Sequence, residues 1–118
     1  MKIEPTLTAD IYVGLREGYD GVTTSIADVR AALQKYVDAE GFCVSVTETE
    51  FIYTKGNEPG LIVGLINYPR FPSSQDEIKN HALEIAMMLM RLCKQVRVSI
   101  VMKNYTILLE AEDLAVAA

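Results

Sequence analysis

The sequence has one histidine and two cysteines in 118 residues, and they do not form the usual constellations of a metal or redox centre. Cys43 and Cys93 lack C-x-x-C spacing and read as reduced, packed thiols rather than as a disulfide or a metal pair. His81 lies beside the apolar stripe of its helix and reads as a structural or solvent-edge residue. G-x-S-x-G, the P-loop, G-x-G-x-x-G and H-E-x-x-H are all missing. No catalytic residue, cofactor or metal is therefore expected, and an enzyme is the less favoured class.

Basic charge is scarce too. Eleven Lys and Arg face sixteen Asp and Glu, for a net charge of -5, and no segment gathers enough cations to hold a phosphate backbone. Direct nucleic-acid binding is excluded. The acidity is also too mild and dispersed for a nucleic-acid mimic. The longest apolar stretch, residues 82–90, is interrupted by Glu84 and stops at Arg91, far short of the ~20 residues that cross a bilayer. Met1 to Pro5 lacks the apolar region of an export signal, so a cytoplasmic location is expected.

What is present describes a folded chain. Half of the residues are hydrophobic and 23% are charged, an ordinary globular balance. The expectation is a single α+β domain over residues 1–110, followed by an alanine-rich tail, 111–118, that frays or forms a short helix.

Ile11, Val13 and Leu15 alternate with Tyr12, Gly14 and Arg16, as in a half-buried strand. Ser25 with Asp28 then opens a helix that runs to about Glu40, with Gly41 as its stop. A second strand is expected from Phe42 to Thr47 and onward to Thr54. The turn formers of residues 55–60 lead into a third, Leu61 to Ile66. Pro69 and Pro72 make 67–72 an extended connector, and Ser74 with Glu77 forms a capping box for a helix ending near Leu92 or Lys94. Val96–Met102 and Tyr105–Glu110 close the chain as a hairpin. This order, β-α-β-β-α-β plus one strand, predicts a ferredoxin-like sandwich with both helices on one sheet face.

Two segments are more apolar than that architecture needs. Residues 61–66 carry no polar side chain at either parity, which points to Leu61, Val63 and Leu65 as covered by something beyond the helices, either the N-terminal arm or alanine-rich tail of the chain itself or a partner sheet. On the second helix, Ile78, Ala82, Ile85, Leu89 and Leu92 share the core stripe, and Leu83, Met87 and Met90 fall near the opposite side. These six residues are the expected interface of a homo-oligomer, most simply a two-fold dimer.

Candidate ligand chemistry lies on the sheet face opposite the helices. Tyr12, Arg16, Ser45, Arg97 and Ser99, with Cys43, form a polar and aromatic set suited to a small anion or carboxylate. Tyr68, Arg70 and Phe71, stiffened by flanking prolines, form a second candidate surface.

The segments Ile11–Leu15, Phe51–Tyr53, Gly64–Pro72 and Val96–Ile100 resemble a group of small bacterial and phage proteins. The resemblance implies an α+β fold and a microbial or phage origin, and it carries over no functional residue. Three readings follow in order. The first is an oligomeric accessory protein that acts by binding another protein. The second is a small-ligand-binding regulatory module using the polar sheet face, and the third an enzyme whose site forms between subunits.

Overall fold

The structure, a computed structural model, describes residues 1–18, 20–70 and 72–117. Its elements are β1 (Thr8–Gly14), α1 (Ile26–Glu40), β2 (Ser45–Tyr53), β3 (Gly56–Ile66), α2 (Gln75–Cys93), β4 (Arg97–Met102), β5 (Thr106–Glu110) and α3 (Ala111–Ala117). The strands make one antiparallel sheet in the order β2-β3-β1-β4-β5. The fold is α+β, with β5 added outside β4 as its hairpin partner.

Local chemistry sets the helix ends. Ser25 Oγ accepts the Asp28 N–H at the start of α1, and Gly41 at φ 66° closes it by donating to the Val37 carbonyl. At α2, Ser74 Oγ accepts the Glu77 N–H while Glu77 Oε1 accepts the Ser74 N–H, a complete capping box.

The β2–β3 hairpin is tighter than the turn composition of residues 55–60 suggests. The chain reverses at Thr54–Lys55, with Lys55 at φ 64°, and β3 begins at Gly56, opposite Tyr53. Pro59 is tolerated because alternate residues of an antiparallel ladder turn their amides away from a given neighbour. Its carbonyl still accepts the Leu15 N–H at 3.0 Å. β2 also starts later than expected, at Ser45, and Phe42 and Val44 pack against the edge of the core.

The core lies between the sheet and the helices. Ala9, Ile11 and Val13 of β1, Leu61, Val63 and Leu65 of β3, and Val98 and Ile100 of β4 are buried against α2, with Val29 and Leu33 from α1. This corrects the interface expected from sequence. Leu61, Val63 and Leu65 are fully enclosed by the chain's own helices, because they share the inward parity of β3. Met90 is buried as well, and Leu83 and Met87 are half-buried at the edge of the same core. Helix α2 is rolled so that its buried arc takes in Ala86, Met90 and Cys93, leaving Leu92 37% exposed. The outward parity of residues 61–66 carries Ile62, Gly64 and Ile66, so one of the three surplus positions on that face is glycine.

The segment expected as a tail is helix α3 through Ala117. Asp113 Oδ2 accepts the Glu110 N–H at its start, and Leu114 packs on the core. No helix among the described residues is long and apolar enough to cross a membrane.

Candidate functional site

The sheet face away from the helices is built by cross-strand register. Tyr12 stands opposite Ile62 of β3 and Ser99 of β4, and Leu108 of β5 follows beyond Ser99. Ser45 sits opposite Gly64, whose other neighbour is Asp10. Tyr12, Ser45, Ser99 and Arg97 thus share the outer face, as the alternation predicts, but they do not converge on one point. Cys43 is exposed outside this face and lines a different cavity.

Glycine shapes this face. The Phe51 ring covers Gly60 so closely that a Cβ there would clash with it and with the Val13 carbonyl. From Gly60 the ring reaches toward Tyr12, with centroids 6.3 Å apart and planes tilted by 35°. At Gly14 a Cβ would meet Glu58 Oε2 and Gln95 Oε1, each at 2.9 Å. Two polar side chains therefore cross the end of β1 where that strand has no side chain.

Gln95 is fixed there by donating to the Arg16 carbonyl at 2.7 Å and to the Cys93 carbonyl at 3.1 Å. Arg16 Nη1 donates to the Asn57 carbonyl at 2.9 Å, which holds its guanidinium beside the hairpin. A pocket of about 480 Å³ results, lined by Arg16, Tyr53, Glu58, Lys94, Gln95 and Arg97 among others. Two of the expected ligand residues, Arg16 and Arg97, meet here. Lys94 also faces Glu17 at 3.9 Å, and Arg97 pairs with Glu110 at 3.4 Å. The Glu58 carboxylate has no hydrogen bond or ion pair among the described residues. The pocket can hold a molecule with separated charges, its anionic part toward the three basic residues and its cationic part toward Glu58.

Sequence reasoning missed Glu58, Phe51, Tyr53 and Gln95 as members of this site. Glu58 was hidden by the proline and glycines around it, which read as loop. Extending the period-two pattern backward from Leu61 through Pro59 would have placed Glu58 on the outer face with Gly60 and Ile62.

The connector residues lie elsewhere. Tyr68 is half-buried beside Cys43, and burial, followed by the hydrogen bond to Cys43, raises its phenol above the ordinary value. Arg70 is exposed, and Phe71 lies outside the described residues. Tyr68 and Cys43 belong to a second cavity, between the end of α1 and the start of α2, that also includes His81. His81 is more than a solvent-edge residue. It stacks on Phe42 at 4.2 Å and bonds to Tyr36 Oη at 2.7 Å, and Tyr36 bonds in turn to Glu84 at 2.8 Å.

No family model and no curated protein matches the sequence. The fold places the chain with small α+β proteins whose antiparallel sheet is covered by helices on one side. Within that class it is similar to two solved structures of a phage SAM lyase. The apo form shares 21% identity over 90% of each chain with a TM-score of 0.76. The complex with S-methyl-5'-thioadenosine shares 19% identity over 91% of each chain, also at 0.76. At this identity the likeness shows the fold. It overturns the expectation of an accessory protein that acts only by binding another protein, because the proteins that share the architecture are named for an enzymatic reaction on a small molecule.

Proposed function

We propose that the chain binds S-adenosylmethionine (SAM) at the end of the outer sheet face and releases the four-carbon amino-acid arm from its sulfonium sulphur. The observation that carries this reading is the meeting of Glu58 with Arg16, Lys94 and Arg97 around one pocket, beside the aromatic residues of β1 and β2. Each part of SAM has a counterpart there. A sulfonium is a fixed positive charge with no N–H to donate, so a carboxylate and aromatic faces are its natural surroundings. The substrate carboxylate suits the guanidinium groups of Arg16 and Arg97, and the flat adenine suits the rings of Tyr12 and Phe51. The fold shared with the phage SAM lyase supports the same reading.

A lyase adds no water, so the arm leaves in one of two ways. Its own carboxylate attacks the carbon attached to sulphur and closes a lactone ring, or a base removes a proton from the adjacent carbon and leaves an alkene. In both, the carbon–sulphur electron pair returns to sulphur as a neutral thioether. Glu58 faces the departing positive charge in the first and takes the proton in the second.

Incubating the full chain with SAM and following it by chromatography and NMR tests the reading. The expected result is S-methyl-5'-thioadenosine, with the isomeric four-carbon fragments told apart by their proton spectra. SAM binding without turnover would return the chain to a ligand-sensing module, and absence of binding would overturn the proposal.

We also infer a finer architecture and an assembly. The order β2-β3-β1-β4 with α1 and α2 supports a ferredoxin-like sandwich, to which β5 and α3 are additions. Exposed Ile66 and Leu108 on the outer face support a homo-oligomer, most simply a dimer, formed through that face in place of the buried residues first expected. Sedimentation equilibrium at micromolar concentration should give a mass above the 13.1 kDa of one chain, and a monomer would remove this part of the proposal.

A further inference from the structure

The second cavity, about 830 Å³, lies at the opposite end of the β2–β3 hairpin from the outer-face pocket, and the two share no described lining residue. Its wall contains a histidine whose orientation is strongly determined. His81 stacks on Phe42 with planes 18° apart and meets the edge of Tyr36 at 5.9 Å and 88°. These contacts tie the ring to α1 and to the segment before β2.

Proton counting assigns the tautomer. The Tyr36 hydroxyl has one hydrogen, and the Glu84 carboxylate at 2.8 Å can only accept it. Tyr36 Oη must then accept from His81 Nδ1–H at 2.7 Å. Burial, with the Glu84 carboxylate adding to it, raises the Tyr36 phenol well above its ordinary value, so the proton stays on Tyr36. In the neutral ring this leaves the lone pair on His81 Nε2, which has no hydrogen-bond partner among the described residues. A histidine serving only to join α1 to α2 needs nothing more than Nδ1.

The remaining walls decide what such an acceptor could meet. Asp38, Glu40 and Glu77 line the cavity, and no lysine or arginine is among its described lining residues. Carboxylates and phosphates are repelled here. A metal ion is not favoured either, since no group of three His, Cys, Asp or Glu among the described residues is placed to hold one.

We propose that this cavity is a second ligand site, for a small molecule bearing a primary ammonium group whose N–H donates to His81 Nε2. The body of the molecule lies against Phe42, and its charge faces Asp38 and Glu77. This inference is independent of the SAM reading, because it uses none of the outer-face residues.

The single histidine of the chain makes the test direct, since a long-range nitrogen–proton NMR spectrum of the full-length protein contains one imidazole. The probe is tyramine, in an amine-free buffer at mildly alkaline pH. The control is 3-(4-hydroxyphenyl)propionate, which keeps the ring and replaces the ammonium with a carboxylate. Tyramine should move the Nε2 resonance saturably, and the control should not. The double variant Asp38→Asn, Glu77→Gln should weaken tyramine about tenfold with an unchanged backbone spectrum. No movement of the imidazole with tyramine, equal movement with the propionate, or undiminished affinity in the double variant would overturn the proposal.

Discussion

Glu58 crosses the end of β1 at Gly14, and its carboxylate occupies the space that a side chain on residue 14 would need. The two positions act as one unit of the candidate site. Gly14→Ala would push aside only the ends of flexible side chains, so stability should change by less than about 1 kcal/mol. Affinity for SAM should nevertheless fall. Glu58→Gln keeps the shape and removes the charge, and it should weaken SAM at least about tenfold with an unchanged melting temperature. Calorimetric titration of both variants checks this, and unchanged affinity in Glu58→Gln would remove Glu58 from the site.

Gly60 behaves differently, because a Cβ there meets a ring and a backbone carbonyl together. Neither can move freely within the sheet. Gly60→Ala should destabilise the chain by about 1–3 kcal/mol, read from urea denaturation. A companion Phe51→Leu change frees the space and should recover part of that loss.

Asn67 is buried and ties three segments together. Its N–H donates to the Leu7 carbonyl at 2.8 Å, its Nδ2 donates to the Pro5 carbonyl at 3.0 Å, and its Oδ1 accepts the Ser73 N–H at 2.6 Å. Asn67→Ala leaves the last two partners unsatisfied and should cost about 1–3 kcal/mol. The Ser73 amide should exchange with solvent much faster in the variant, which hydrogen exchange measures.

The capping box of α2 carries a pH signature. Hydrogen bonds from the Ser74 backbone and then from its side chain hold the Glu77 carboxyl below its ordinary value. A pKa lower in the folded chain than in the unfolded one means that ionised Glu77 stabilises the fold above the ordinary carboxylate range of about 4.3. That stabilisation fades as pH falls through the lower, folded value. Melting curves of wild type and Glu77→Gln should therefore differ most near neutrality and converge as the pH falls below the carboxylate range.

The two thiols should separate cleanly. Cys93 is buried at the end of α2, and burial raises its pKa despite an opposing hydrogen bond from Thr24, whereas Cys43 is exposed. A thiol-exchange reagent should titrate Cys43 in the native protein and reach Cys93 only on unfolding. Prompt reaction of both would mean that the end of α2 opens readily.

The sequence made the strand and helix order legible because each element has a clean period and a chemical stop, such as Gly41 or the Ser74–Glu77 box. It misled at the β2–β3 turn, where Gly56, Pro59 and Gly60 have the composition of a loop. The glycines serve instead to let Tyr53 and Phe51 lie flat across β3. The apolar excess was visible, but its destination was not. Which parity of β3 faces α2 and how far α2 rolls are settled by packing between elements distant in sequence. For the same reason Tyr12 and Ser99 could be placed on one face, whereas the approach of Glu58 to Gly14 and the Tyr36–His81–Glu84 chain could not. These contacts join residues more than forty positions apart.

Gly56, Gly60 and Gly64 recur at every fourth residue of β3, and their outward space is taken by Tyr53, Phe51 and Ser45 of β2. At these three positions β3 is bare, and its neighbour at the sheet edge covers it, while Glu58 and Ile62 of β3 project between them. Changes in β2 should therefore alter the contour of this face without disturbing the centre of the sheet. The glycines of β3 set the limits within which that variation can occur.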